Sequence, residues 1–181
     1  MWEKLTWDIQ QFDQIQRSNP DIPEPLGFAA INVCISAASL RDWTLAAVMR
    51  RRRAEKMPVN KQAVLDHIYE NVPQQKMCEA IANTAKHAAL STSRWPNGAV
   101  QLTYEDDSES DPPSYVLRHI HSDGISESIA LNAFGTLQRC WWSELKNLDF
   151  DIGTNPLGFE WRQRQLREIF GDHHEYVRVV S

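Results

Sequence analysis

The sequence predicts a mainly α-helical protein, a helical bundle that carries a small antiparallel β-hairpin insert. Through most of the chain, apolar side chains recur every three to four residues, which is the period of an amphipathic helix. Two short segments, residues 99–104 and 115–120, instead alternate apolar and polar side chains, which is typical of paired strands. The length of 181 residues fits one domain, 1–181. Its predicted parts are a bundle core, the hairpin, a packing helix and a peripheral tail, at residues 26–91, 98–122, 125–148 and 150–181.

The first two predicted helices cover residues 2–17 and 26–56. Apolar side chains at helical spacing, with Asp, Gln and Lys between them, indicate that the first helix is amphipathic. We expect residues 19–25 to separate the two helices, because the prolines in this segment cannot continue a helix interior. The second helix opens almost uniformly apolar, which is typical of the central helix of a bundle. Its small residues, such as Ala29 and Ala37, would permit a close helix neighbour.

Two shorter helices are predicted at residues 61–71 and 74–90. Asn60 is the expected N-cap of the first, because its side chain can accept a hydrogen bond from a free backbone N–H. Proline separates the two helices at position 73. The apolar stripe predicted for the second consists of Met77, Ile81, Ala85 and Ala88.

The predicted hairpin is followed by a long helix and an irregular tail. Residues 105–113 form its acidic, solvated loop, which would repel nucleic acid on that side. Ser126 is the expected cap of the helix at residues 127–148. In the tail, we predict a polar helix over residues 159–170 and a short strand over 176–180.

Composition and charge exclude several classes of protein. The formal net charge is −5; residues 1–99 carry 12 basic and 10 acidic side chains, whereas residues 100–181 carry 7 and 14. This balance does not indicate a globally basic nucleic-acid binder. The three cysteines lack metal-ligand spacing and fit small buried hydrophobes in a reducing compartment. The N-terminus lacks a secretory signal pattern, and the apolar stretch 26–40 is too short to span a bilayer. We therefore predict a cytoplasmic protein with no membrane partner.

Polar residues interrupt two otherwise apolar helices. Glu79, Asn83 and Lys86 are spaced i, i+4 and i+7, and His87 follows Asn83 by four residues. All four therefore share one side of their helix. The pair Arg41–Asp42 interrupts the second helix. If these two helices pack together, the carboxylate of Asp42 would reach Lys86 or His87.

This constellation has two interpretations. A hydrogen bond from Asp42 would hold the His87 imidazole in one tautomer and raise its basicity, which is the beginning of a general-base site. The candidate catalytic residues are then His87, Lys86, Asn83 and Asp42. In the structural interpretation, which is the commoner case for such patterns, the same residues form a solvated face or a buried network that sets helix register.

The segment Asn83-Thr84-Ala85-Lys86-His87, in its helical setting, resembles the HEPN superfamily. These proteins are small helical bundles that include many ribonuclease toxins and defence effectors, and the resemblance covers residues 26–91. The family motif is an Arg, often followed by Asn, with a His further along the helix. Aligned on the Asn and His of this segment, the Arg position is Ala82, which cannot bind a phosphate. Lys86 could partly substitute as a point charge, but it lacks the bidentate fork of Arg.

The resemblance leads to two functional hypotheses. Because the motif Arg is absent, the first is a bacterial or phage protein that acts by binding, in a defence or toxin–antitoxin context. The second is a metal-independent ribonuclease with His87 as general base, Lys86 against the phosphate charge, and Asn83 and Asp42 as orienting groups. The resemblance also implies a homodimer in which two motif helices face each other, with an RNA or a protein as further partner. A Leu-x-Asp-Trp … Ala-Asn-x-x-Lys-His pattern is similar to bacterial helical proteins as well, but implies no activity.

Two further clusters are candidate sites. The run Arg50, Arg51, Arg52 and Arg53 could bind nucleic-acid phosphates, but four consecutive residues point around the whole helix, as a solvated helix end does. His119 and His121 share a strand face and could join His173 and His174 at a metal. No carboxylate or Cys spacing supports such a site, so no metal is predicted. The chain has no P-loop and no dinucleotide fingerprint, so no cofactor is predicted.

Overall fold

The computed structural model describes residues 1–18, 22–87, 98–106, 113–121 and 124–153. These residues form five α-helices and one three-stranded antiparallel sheet, which confirms the mainly α fold with a small β insert. The elements follow one another as α1 (Trp2–Ser18), α2 (Pro23–Ala54), α3 (Lys61–Asn71), α4 (Gln75–His87), β1 (Gly98–Glu105), β2 (Ser114–His121), β3 (Gly124–Ile129) and α5 (Ala130–Asn147).

Helix α2 is the central element of the bundle. It contacts α1, α3, α4, α5 and β2, as its almost uniformly apolar first half predicts. The expectation that residues 23–25 lie outside the helices was wrong, because α2 begins at Pro23 and Pro25 follows in its first turn. The first N–H groups of a helix have no intrahelical acceptor, so a proline there loses no hydrogen bond.

Helices α1 and α5 cover one side of α2. Phe12 of α1 packs edge-on against Phe134 of α5, with ring centroids 5.0 Å apart, and both side chains are fully buried. A polar link joins α1 to α2, because Lys4 donates to Asp8 at 2.6 Å and to the hydroxyl of Ser36 at 2.8 Å. This side of the bundle is therefore a packed core with an ion pair at its margin, where the side chain of Lys4 is 54% exposed.

Helices α3 and α4 cover another side of α2 and are joined by a tight corner. The predicted cap is confirmed: the side chain of Asn60 accepts a hydrogen bond from the N–H of Ala63 at 3.1 Å. Val64 and Ile68 bury one face of α3. A neighbouring edge of that helix, which includes Leu65 and Tyr69, borders a polar cavity.

The β insert has three strands in the order β1-β2-β3, one more than predicted. In the hairpin, Gly98 pairs with His121 and Glu105 with Ser114. The helix predicted at residues 127–148 begins later, at Ala130, because residues 124–129 pair with the free edge of β2 as β3. Ser126 is consequently a strand residue and does not cap α5.

The chain after α5 folds back onto the end of α2. Phe150 packs against Trp43, with ring centroids 5.3 Å apart, and the carbonyl of Leu148 accepts a hydrogen bond from Arg51 at 2.8 Å. The helix and strand predicted at residues 159–170 and 176–180 lie outside the described residues. Among the helices that the structure describes, none is long and apolar enough to cross a membrane.

Candidate functional site

A polar cavity of about 470 Å³ lies between α2, α3 and α4. Each helix contributes residues three or four positions apart, which is the spacing of a single helix face. The lining residues are Arg41, Asp42 and Leu45 of α2, Lys61, Leu65 and Tyr69 of α3, and Lys76, Glu79 and Asn83 of α4. Charged groups form most of the wall, and two leucines supply its apolar part.

Three of these side chains hold one another at the inner wall. Arg41 donates from Nη1 to the hydroxyl of Tyr69 at 2.9 Å and lies 3.1 Å from Oε2 of Glu79. The hydroxyl of Tyr69 in turn donates to the same Oε2 at 3.0 Å. The triangle joins all three helices, so it fixes the position of each one at the cavity.

Gln75 connects this triangle to the hydrophobic core. Its side chain is fully buried and donates to Oε1 of Glu79 at 2.9 Å and to the carbonyl of Ala37 at 3.1 Å. Its side-chain oxygen accepts a hydrogen bond from the indole N–H of Trp141 at 2.8 Å. Both oxygens of the Glu79 carboxylate are thus held by partners within the protein.

Burial changes the acidity of two members of the triangle. Desolvation raises the pKa of Glu79, although hydrogen bonds from Gln75 and Tyr69 and the charge of Arg41 counter part of this effect. Desolvation and the neighbouring Glu79 charge raise the pKa of Tyr69 to about 12. Tyr69 is therefore protonated at neutral pH and serves there as a hydrogen-bond donor.

Two lysines at the cavity have no carboxylate partner among the described residues. Lys61 is exposed and begins α3. The ammonium group of Lys76, in the first turn of α4, lies 5.0 Å from the ring centroid of Tyr69. Asp42 does not neutralise either lysine, since its carboxylate lies 3.0 Å from Nε of Arg41.

Of the four predicted catalytic residues, the structure brings Asp42 and Asn83 to the same cavity. The side chain of Asp42 is 69% exposed at the rim. Lys86 and His87 form the C-terminal end of α4, and their side chains lie outside the described part of the molecule. The contact between Asp42 and His87 stays a prediction.

The arginine run at the end of α2 spreads around the helix, as four consecutive residues must. Arg51 packs its guanidinium 5.9 Å from the ring centroid of Phe150, while Arg50 and Arg53 are exposed. Its role as a nucleic-acid site stays a prediction.

Among the described residues no group of three His, Cys, Asp or Glu could hold a metal. The side chains of the four candidate histidines, His119, His121, His173 and His174, lie outside the described set.

Sequence reasoning identified Glu79 and Arg41 as polar interruptions but missed Tyr69, Gln75 and the two lysines as parts of one site. A signal was present, since Gln75, Glu79 and Asn83 repeat every four residues along α4. Such spacing shows a shared helix face, but it does not show which helix packs against that face.

Comparisons with protein-family models, curated proteins and solved structures found no match to this chain. The resemblance to HEPN proteins therefore stays a prediction that depends on the segment 83–87.

Proposed function

We propose that this protein acts by binding a small polar ligand in the cavity between α2, α3 and α4, and that it leaves the ligand chemically unchanged. One observation carries the proposal. Both oxygens of Glu79, the partly buried carboxylate of the cavity, are occupied by Gln75, Tyr69 and Arg41. A carboxylate held in this way is not free to take a proton from a ligand, as a general base must. It is instead part of a rigid wall.

Rigid walls favour binding because little conformational entropy is lost when the ligand enters. The volume of about 470 Å³ lies within the range of small-molecule sites. The lining also combines polar groups, which orient a ligand, with the apolar surface of Leu45 and Leu65. This combination is typical of ligand pockets.

A cavity-filling variant tests the proposal. Leu65→Trp places a larger side chain at the wall of the cavity, and Glu70→Trp places the same side chain on an exposed position of the same helix. Binding is measured by saturation-transfer NMR with phenyl phosphate, phthalate, phenol and spermidine as probes. We expect at least one probe to bind the parent protein and the Glu70→Trp variant but not Leu65→Trp. Binding that persists in Leu65→Trp, or no binding of any probe, would contradict the proposal.

The ribonuclease is the second candidate, and one observation favours it: Asp42 and Asn83 line the same cavity. His87 lies one helical turn beyond Asn83 on α4. As general base it would take the proton of an RNA 2′-hydroxyl. The resulting oxyanion would attack the adjacent phosphorus and break its bond to the 5′-oxygen of the next nucleotide, which would leave with the bonding electrons and take a proton from water. The products are a 2′,3′-cyclic phosphate and a 5′-hydroxyl. The ammonium group of Lys86 would stabilise the negative charge on the phosphate.

Cleavage of total RNA in EDTA tests this second candidate. We compare the parent protein with His87→Ala, and use His67→Ala as a control because His67 does not line the cavity. The ribonuclease hypothesis expects cleavage that His87→Ala abolishes and His67→Ala retains. No cleavage by the parent protein, or equal cleavage by His87→Ala, would exclude it.

A further inference from the structure

The geometry points to a small organic anion with an apolar or aromatic body as the ligand class of the α2–α3–α4 cavity. This inference rests on the proposed binding function and adds the charge and shape of the ligand. The ionisable groups that line the cavity are three cations and two carboxylates.

The two carboxylates are both held by one cation. Arg41 lies 3.1 Å from Glu79 and 3.0 Å from Asp42. Neither carboxylate forms an ion pair with Lys61 or Lys76 within the described part of the chain. The two ammonium groups therefore supply cavity charge that no described side chain neutralises.

The positions of the two lysines in their helices strengthen this argument. Each lies in the first turn of its helix, and neither α3 nor α4 has an acidic residue there. The helix dipole makes a cation unfavourable at an N-terminus. Both lysines add positive charge where the free backbone N–H groups are already positive. An anion in the cavity would relieve this repulsion.

The distribution of charge along the cavity suggests the shape of the ligand. Lys76 lies beside the ring of Tyr69 at one end. Lys61 is two turns away on α3, and a helical rise of 1.5 Å per residue separates positions 61 and 69 by about 12 Å. Leu65 lies between them on the same helix face. A ligand whose anionic group lies against either lysine and whose apolar body lies against the leucine fits this order.

The ligand is expected to be small rather than a polyanion. The chain has a net charge of −5, and residues 105–111 comprise five acidic side chains and two serines, without a basic residue. Long-range repulsion would oppose a nucleic acid more than a single anionic group, because each added phosphate increases the unfavourable charge. Phosphate and carboxylate anions share the required chemistry, and the test separates them.

Isothermal titration with matched probes tests the inference. Phenyl phosphate and phthalate are the anions, phenol is the neutral aromatic body, and spermidine is the cation. The proteins are the parent chain, the double variant Lys61→Ala/Lys76→Ala and the control Arg53→Ala, which removes an exposed cation outside the cavity lining. Both lysines are outside the hydrophobic core, so the double variant should fold, and its far-ultraviolet circular dichroism confirms this before titration.

We expect phenyl phosphate, phthalate or both to bind more tightly than phenol, and to lose at least about tenfold in affinity in the double variant. The anion that binds more tightly shows whether the cavity prefers a phosphate or a carboxylate group. Arg53→Ala should bind as the parent does. Anion binding that the double variant retains would overturn the inference.

The remaining outcomes separate the two proposals. If phenol or spermidine binds best, and Leu65→Trp abolishes that binding, the cavity is a binding site but the anion inference is wrong. If a short single-stranded RNA competes with the anions and binds far more tightly through the same lysines, the small-ligand inference is wrong. If no probe binds at about 10 mM, both proposals fail.

Discussion

Trp141 of α5 donates its indole N–H to the side-chain oxygen of Gln75 on α4, at 2.8 Å in the protein interior. The amide nitrogen of Gln75 reaches in the opposite direction, to Glu79 at the cavity wall. One buried amide thus connects the largest fully buried side chain of the described core to the candidate site. The core therefore positions the cavity wall. Loss of this amide should disturb the packing of the core and the geometry of the cavity wall.

Gln75→Met tests this connection. Methionine keeps a similar volume but leaves the Trp141 N–H and the Ala37 carbonyl without their present partner. A buried polar group without a partner costs about 1–3 kcal/mol, so we expect a loss of at least that order in the free energy of unfolding. Urea denaturation followed by tryptophan fluorescence measures it.

The control for Gln75→Met is Gln62→Met on α3. Gln62 is exposed, and its side chain donates only to Asp66 within the described residues. A surface change of this kind should stay within about 0.5 kcal/mol of the parent. Equal effects of the two variants would show that the buried amide contributes nothing particular to stability.

A double-mutant cycle tests the triangle at the cavity wall. Tyr69→Phe removes the hydroxyl that donates to Glu79 and accepts from Arg41, and Glu79→Gln removes the charge that holds both. We expect each single change to cost about 0.5–1.5 kcal/mol and the pair to be coupled by at least about 0.5 kcal/mol. The measurement is the free energy of unfolding of all four proteins.

Additive costs in this cycle would contradict the triangle as a cooperative unit. A pair near the surface, Arg17 and Asp13 of α1, serves as reference because it is a close ion pair whose side chains are 72% and 36% exposed. Exposed pairs contribute about 0.2–1 kcal/mol. The coupling between Tyr69 and Glu79 should exceed the coupling in this reference pair.

The buried Glu144 of α5 predicts how stability depends on pH. Burial raises the pKa of Glu144 above its ordinary value of 4.5, while the charge of His67 and the side chain of Asn147 counter part of this. The folded protein therefore binds the proton more strongly than the unfolded chain does. Because the folded state holds the extra proton, the free energy of unfolding falls as the pH rises through the range above 4.5.

Glu144→Gln removes this titration. The parent loses stability as the pH rises, and the variant lacks this loss. We therefore expect the stability of the variant relative to the parent to increase from pH 4 to pH 8. Thermal melts at about one-unit intervals of pH measure this difference. His67 lies 3.3 Å from Glu144, and its charge counters part of the rise in the pKa of Glu144. The variant His67→Gln removes this charge, so we expect it to keep a slope of the same sign that is at least as steep as the slope of the parent. If stability depends on pH in the same way for the parent and for Glu144→Gln, the pKa of Glu144 does not differ between the folded and unfolded states.

Local sequence patterns were sufficient for most of the helices and for the hairpin, because helix period, proline placement and capping depend on near neighbours. They were not sufficient for β3. Ile125 and Ile129 are four residues apart, a spacing that a helix and a strand both permit, and the free edge of β2 decides between them. Local patterns also could not predict which side chains lie near Asp42 and Asn83. The position of Gln75, for example, depends on its hydrogen bond with Trp141, which is 66 residues away in the chain.

A glycine in α2 gives the last prediction. Gly27 lies within the helix, where alanine is normally about 1 kcal/mol more favourable. Here a Cβ would lie 2.5 Å from the hydroxyl oxygen of Tyr115, which donates to the carbonyl of Pro23 at 3.0 Å. Gly27→Ala must therefore displace the β2 side chain from the start of α2. We expect a net loss of about 1–3 kcal/mol, the usual cost of overpacking.

Gly135→Ala on α5 is the matched control, because the nearest atom to its added Cβ is the end of the Arg139 side chain at 4.0 Å. This change should stabilise the protein by about 0.5–1 kcal/mol through helix propensity alone. Tyr115→Phe removes the closest atom and should reduce the cost of Gly27→Ala, although the ring carbon at 3.0 Å keeps part of it. Urea denaturation of the single and double variants measures these differences. If Gly27→Ala stabilises the protein as Gly135→Ala does, the contact between β2 and the first turns of α2 is not as close as the structure has it.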